Sequence, residues 1–293
     1  MKRPGTPPYV IAEVGCNHAG DLAVAKKMVA VAASFCEVDA VKFPTRDPRT
    51  LLSPAEYEAP HPNPMHAFGP TYGAHREFLE LDMDAHAELR TACDAAGVDY
   101  STSVWDVPSA RAVIDLAPGF VKVPSATNLN DELLKILALD YEGDVHVSLG
   151  MTTHAEEAHL VELFDGWGAA DRVVLYACTS GYPVPFEDVC LGEVERLVDT
   201  YSDAVKAIGF SGHHLGIAAD VAALALGATY FERHFTLDRT SKGTDHAASL
   251  EPDGMRRLAR DLRNVTKALT DKATEVLPIE QATRAKLKWE PVP

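Results

Sequence analysis

Lys42 and Lys122 each interrupt a short run that is apolar on both sides, Ala40-Val41-Lys42-Phe43 and Phe120-Val121-Lys122-Val123. Runs of this kind are buried, and a buried charge without a partner costs several kcal/mol, so two such lysines point to a shared anion. Glu13 lies in a third run, Tyr9-Val10-Ile11-Ala12-Glu13-Val14-Gly15, with Asn17 and His18 just beyond it. His213 follows the run Ala207–Ser211, and His234 ends the next one, Thr229–His234. Two converging imidazoles, completed by carboxylate, water or substrate oxygens, suit Mn2+, Fe2+, Co2+ or Zn2+. Glu232 would either join or orient such a ligand set or form an ion pair with Arg233. Hydroxyl groups end or follow other runs at Ser125, Ser148, Thr179, Ser180, Tyr182 and Ser211, and Gly243-Thr244-Asp245-His246 occupies the last loop. His86, His146, His154 and His159 stand alone and read as structural, since a lone histidine is more often hydrogen-bonded than ligating.

These residues need a scaffold that gathers many strand ends at one place. Short apolar runs alternate with amphipathic helical patterns along the whole chain. Asp21 reads as an N-cap, followed by Leu22, Ala25, Val29, Ala32 and Cys36 on one helix face. Helical pattern stops at Gly97, Pro108 opens another helix, and Pro252 leads one with Met255, Leu258, Leu262, Val265 and Leu269 on one face. Tyr100–Trp105, Val145–Gly150 and Val173–Cys178 bring the strand count to eight. Eight βα units predict an α/β fold, a single-domain (β/α)8 TIM barrel over residues 1–272, with a polar tail over 273–293. No GxGxxG follows any strand, which removes the dinucleotide-binding alternative. Residues 46–74, rich in Pro, His and Tyr, read as a long loop of the kind that forms a functional flap or a mobile segment.

Composition narrows the partners. The chain has 293 residues, 46% of them hydrophobic, enough for a full core, and a formal net charge of −16 that disfavours nucleic acid and anionic membranes. No apolar run approaches the ~20 residues of a membrane span. Met1-Lys2-Arg3 leads into Pro-rich sequence rather than a signal peptide, so a cytoplasmic protein is expected. Five cysteines without a CxxC pair argue against disulfides and thiolate zinc sites, and Cys36 and Cys93 read as buried thiols. In so acidic a chain, cations that bind an anionic metabolite must be few and clustered.

The segment Ile11-Ala12-Glu13-Val14-Gly15-Cys16-Asn17-His18-Ala19-Gly20-Asp21 resembles the opening strand and loop of the sialic acid (N-acetylneuraminate) synthase family. Ala40-Val41-Lys42-Phe43, Cys178-Thr179-Ser180-Gly181-Tyr182-Pro183, Gly209-Phe210-Ser211-Gly212-His213, Glu232–Asp238 and Gly243-Thr244-Asp245-His246 are similar to family motifs in the same order. The resemblance implies a transferase that joins phosphoenolpyruvate to a sugar aldehyde, N-acetylmannosamine or a related hexose, releasing phosphate in carbohydrate biosynthesis; the alternatives are the same chemistry on a different aldose or a sugar phosphate, or a pseudoenzyme that binds a metabolite. It implies that phosphoenolpyruvate is held by Lys42, Lys122, Ser125, Ser148, Ser180 and Ser211 with Thr102 nearby. Tyr182 would help bind substrate. It also implies His213 and His234 as ligands of a divalent metal, Mn2+ or Mg2+, Glu13 as the residue that handles protons, and Asp245 as a sugar contact. Departures are Pro44 for the family's usual Gln, Gly212 for its Asp before the metal histidine, and Ser125-Ala126-Thr127 for Ser-Gly-Glu or Ser-Gly-Asp. Members commonly carry a small C-terminal antifreeze-like domain reaching into a partner's active site. This sequence ends before such a domain, and a homodimer is compatible with the resemblance.

Overall fold

The computed structural model describes residues 7–289. The amino-terminal reading at Met1-Lys2-Arg3 and the end of the tail, 290–293, lie outside the described residues. Eight strands form a closed parallel barrel in chain order: β1 (Tyr9–Glu13), β2 (Ala40–Thr45), β3 (Asp99–Val104), β4 (Phe120–Val123), β5 (Asp144–Ser148), β6 (Val173–Cys178), β7 (Ala207–Gly212) and β8 (Tyr230–His234). β8 closes on β1 with Ile11 opposite Glu232 and Glu13 opposite His234. Helices follow the strands and cover the outside, as the βα alternation predicts.

Side chains alternate along each strand, so one parity faces the barrel axis and the other faces the helices. Val10, Ala12, Val41, Phe43, Val121, Val123, Val145 and Val147 join the main core between strands and helices. Ile11, Ala40, Phe120, Val174 and Tyr176 form a separate cluster inside the barrel, flanked by Tyr9, Ala207 and Tyr230. This apolar plug lies below the inward polar residues, one step further along the same strands. The helix caps are those the sequence announces. Asp21 accepts from the backbone N–H groups of Ala23 and Val24, and Gly97 ends its helix with φ of +74°.

Residues 46–74 differ from the loop the sequence suggests. They hold the helices Pro48–Leu51 and Pro54–Glu58, a single 3-10 turn Pro64–His66, and the start of the helix Tyr72–Leu79. Three of the six prolines in this stretch, Pro48, Pro54 and Pro64, stand at helix starts, each behind a capping side chain: Asp47, Ser53 and Asn63. Proline lacks only an N–H that the first turn leaves unpaired anyway, so Asp-Pro, Ser-Pro and Asn-Pro start helices here. The tail also contains a helix, Pro278–Leu287, none of whose residues is buried.

The isolated histidines have distinct surroundings. His154 and His159 are exposed, near Glu193 and Asp131 respectively. His86 is fully buried, with Nδ1 2.7 Å from the Tyr100 hydroxyl and Nε2 3.2 Å from Thr45 Oγ1. Burial pushes the imidazoles of His86 and His18 down to about 4. The unfolded chain binds these protons near the ordinary histidine value, while the folded chain refuses them until about pH 4. The stability that comes from keeping them neutral is therefore complete above that ordinary value. It declines as the pH falls towards 4, by up to about 1.4 kcal/mol per pH unit for each histidine. Urea midpoints are expected to fall between pH 7 and pH 5, and His86→Gln should reduce that fall. A pH dependence equal in wild type and variant would contradict the assignment.

Candidate active site

A cavity of about 440 Å³ opens at the C-terminal ends of the strands, the face where barrels of this kind place their chemistry. Glu13, Lys42, Lys122, Ser125, Ser148, Ser180, Tyr182, Ser211, His213, His234 and Asp245 all line it. Thr102 does not. It shares the outward parity of Tyr100, and its hydroxyl lies 2.7 Å from Thr45 Oγ1 in the layer beneath the helices. The adjacent inward residue of β3, Ser103, lines the cavity in its place. Asn17 also lies outside the lining. Its side-chain amide donates to Phe235 O and Ser249 Oγ at 2.8 and 2.9 Å, bracing the β1 loop against the segment after β8.

The floor is a buried ion cluster. Lys42 Nζ lies 2.5 Å from Glu13 Oε2 and 3.7 Å from Glu232 Oε1, and Lys122 Nζ lies 3.2 Å from Glu232 Oε2. Glu232 is thus an anion shared by both lysines, and Ser211 Oγ lies 3.4 Å from it. The expected alternative, a pair between Glu232 and Arg233, does not form because neighbouring strand residues face opposite sides. Arg233 points outward, ion-paired with Asp220 at 2.5 Å and donating to His214 O and Gly216 O. Lys122 also sits 3.4 Å from the centroid of the Tyr176 ring. Gly209 leaves room for that ring, since a Cβ there would come within 2.6 Å of it.

The charges are tuned by burial and by one another. Burial raises the Glu13 carboxyl above its ordinary value, against the pull of Lys42. Burial also opposes the charge on Lys42, but Glu13 and Glu232 beside it more than compensate and its pKa rises. Lys122 is lowered by burial, which Glu232 offsets only in part and Lys42 reinforces. Burial disfavours ionised Glu232 as well, yet the two ammonium groups hold its carboxyl well below the usual range.

Above this floor, hydroxyls and imidazoles converge. Ser125 Oγ accepts from the Gly150 N–H at 3.0 Å, and a Cβ on Gly150 would lie 2.4 Å from Ser180 Oγ, so glycine there keeps the two hydroxyls together. The rings of His213 and His234 have centroids 5.4 Å apart, and Tyr182 packs against both. His213 Nδ1 donates to the Thr179 carbonyl at 2.9 Å, which leaves Nε2 with its lone pair. Burial, reinforced by His234, pushes His213 down to about 3, so the ring is neutral near pH 7. His234 Nδ1 is buried without a hydrogen-bond partner. Among the described residues no group of three or more His, Cys, Asp or Glu forms a complete cage for a metal ion. A pair of imidazoles, one with a fixed tautomer and one with an unsatisfied buried nitrogen, fits a divalent ion whose other positions are filled by water or substrate.

A family model described as the NeuB family matches residues 28–274. The chain belongs to the NeuB family. It is 36% identical over 281 residues to N-acetylneuraminate-9-phosphate synthase of Homo sapiens, an alignment covering 96% of this chain and 76% of that protein. It is 33% identical to N,N'-diacetyllegionaminic acid synthase of Campylobacter jejuni, over 93% of this chain and 80% of that one. A crystal structure of N-acetylneuraminic acid synthetase from Leptospira borgpetersenii, in complex with citrate, superposes with a TM-score of 0.80 at 26% identity. That match covers 97% of this chain and 94% of the other.

In this NeuB-family barrel the rim of the cavity contains residues that strand-end reasoning did not find. Arg46, His75, Arg76 and Trp105 form one wall. Arg46 donates from Nε to Glu80 at 2.6 Å and from a terminal nitrogen to Cys16 Sγ at 3.0 Å. His75 and Arg76 belong to the Tyr72–Leu79 helix, whose start at Thr71, a capping residue three positions before Ala74, is the sequence signal that could have revealed them. Beside them, Gly15 has φ of +53°, and a Cβ there would lie 3.2 Å from Asp245 Oδ2 and 3.4 Å from the His234 ring. That glycine lets the last loop bring Asp245 over the histidine pair.

Replacing Glu232 by Gln would leave the two buried ammonium groups without their shared counter-ion. Removal of one partner from a buried ion pair costs about 3–5 kcal/mol, so E232Q should show a markedly lower urea midpoint, partly restored by inorganic phosphate. A midpoint equal to that of wild type, with no response to phosphate, would contradict the dependence of the lysines on Glu232.

Proposed function

We propose that this protein condenses phosphoenolpyruvate with the open-chain aldehyde of a hexose, N-acetylmannosamine or a close derivative, to give a nonulosonic acid and phosphate. The observation that carries this reading is the pair of buried lysines, Lys42 and Lys122, beneath a ring of serine hydroxyls. Their charges and donors suit a small dianion bearing both phosphate and carboxylate.

In this reading Lys42, Lys122, Ser125, Ser148, Ser180 and Ser211 hold phosphoenolpyruvate at the floor, with its carbon 3 towards the histidine wall. Carbon 3 bonds to the aldehyde carbon, water adds at carbon 2, and the tetrahedral centre that results breaks its bond to the phosphate oxygen. The atoms balance as phosphoenolpyruvate, aldehyde and water giving acid and phosphate. Glu13, raised by burial and next to Lys42, orients that water and takes up its proton. Fixed cations at the floor meet the charge on the departing phosphate without rearranging. His213 and His234 would hold the divalent ion, Mn2+ or Mg2+, which when bound polarises the aldehyde oxygen as a Lewis acid. Asp245, held ionised by the His234 imidazole and the Thr244 hydroxyl against the effect of burial, and Tyr182 would contact the sugar.

Phosphate release should require both phosphoenolpyruvate and an aldose. His213→Ala should lose at least about 100-fold in kcat and also lose Mn2+ binding measured by calorimetry. No release across a broad aldose panel, with metal supplied, would refute the condensation. Full activity in His213→Ala would remove that residue from the metal site.

A further inference from the structure

We infer that Tyr176 is a positioning residue for Lys122: its ring face carries the ammonium group at the floor of the cavity and holds it ready for the donor's phosphate and carboxylate. The inference rests on the reading of the floor as the phosphoenolpyruvate site, and it adds a residue that touches no substrate.

The two floor lysines are held differently. Lys42 Nζ has two carboxylates beside it, Glu13 at 2.5 Å and Glu232 at 3.7 Å. Among the described residues Lys122 Nζ pairs with Glu232 alone, at 3.2 Å, and its second neighbour is the Tyr176 ring, whose centroid is 3.4 Å away. Both side chains are buried, so water does not weaken the attraction between the ammonium and the ring face. A second carboxylate in that place would steady Lys122 but repel an incoming dianion. A neutral ring steadies the cation through its quadrupole and adds no negative charge. Tyr176 is not part of the cavity lining, whereas Lys122 is, so the ring acts through the lysine.

Neighbouring strands fix the ring itself. Lys122 on β4 is level with His146 on β5, and Tyr176 on β6 is level with Gly209 on β7. A Cβ on Gly209 would come within 3.0 Å of three atoms of the Tyr176 ring, so only glycine lets the ring lie there. At its far end the Tyr176 hydroxyl lies 2.9 Å from His146 Nδ1. His146 is held in turn by stacking on Phe120, with centroids 4.2 Å and planes 18° apart, and by an edge-to-face contact with Tyr230 at 5.2 Å. Burial, reinforced by Lys122, pushes His146 well below its ordinary value, and burial pushes Tyr176 well above its own. Both groups are therefore neutral near pH 7, and no second positive charge competes with Lys122. The histidine that stands alone in the sequence thus supports a floor lysine at one remove.

The test measures calorimetric binding of phosphoenolpyruvate without acceptor, and the KM values of both substrates in turnover, for wild type, Y176F, Y176L and Y176M. Y176L removes the ring and should bind phosphoenolpyruvate about tenfold more weakly. That loss should appear in the KM of phosphoenolpyruvate and not in the KM of the acceptor. Y176F keeps the ring face, loses only the hydroxyl, and should recover most of the affinity. Y176M fills the space with a flexible chain and should show the loss of Y176L, which keeps the test open if Y176L does not fold. Wild-type affinity in Y176L or Y176M, an equal loss in Y176F and Y176L, or a loss confined to the KM of the acceptor would each overturn the inference. Binding and turnover together separate it from the reading it rests on. Weaker binding in Y176L than in Y176F, with no turnover of any aldose, would refute the condensation and sustain the role of Tyr176. Equal binding in all four proteins, with turnover, would refute the role of Tyr176 alone, and no binding of phosphoenolpyruvate to wild type would overturn both.

Discussion

Two carboxylates and two ammonium groups, those of Glu13, Glu232, Lys42 and Lys122, meet inside the barrel almost entirely out of contact with water. Such a cluster is tolerable only if every charge has a partner at short range. The closed parallel sheet provides this by register, because it sets Glu13 beside Lys42 on one side and beside His234 on the other. Below the cluster, the plug of Ile11, Phe120, Val174 and Tyr176 keeps water from entering from the opposite end. Above it, the cavity leaves the lysines open to an anion. The cluster thus pairs two basic groups with two acidic ones.

Much of this was legible in the sequence, because alternation on strands is a strong signal and charges in apolar runs are rare. Lys42, Lys122 and Glu13 could be placed inside the barrel from the residues around them. Thr102 shows the limit of that reasoning. An inward assignment depends on parity, and a shift of one residue moves a side chain to the other face, which is why Ser103 holds the position. Glu232 and Arg233 illustrate the same rule. Adjacent opposite charges suggest a pair, but a strand sends them to opposite faces and each finds its partner elsewhere.

The insertion between β2 and β3 was the least legible part. Its prolines and histidines suggest irregular chain, yet the capping residues before Pro48, Pro54 and Pro64 start a series of short helical segments there. The segment is also tied across the mouth of the barrel. Lys242 donates to Ala67 O at 2.5 Å, and the Gly243 N–H donates to His66 Nδ1 at 3.2 Å. Part of the cavity rim is therefore built from the stretch of chain with the weakest periodic signal, while the floor is built from the strands, which have the strongest.

The most direct test of the central proposal is a crystal structure of the protein with phosphoenolpyruvate and Mn2+. The expected density places the phosphate and carboxylate against Lys42, Lys122 and the surrounding serine hydroxyls, with Mn2+ bound by His213 and His234. Phosphoenolpyruvate seated away from both lysines, or Mn2+ held by residues other than this histidine pair, would contradict the account.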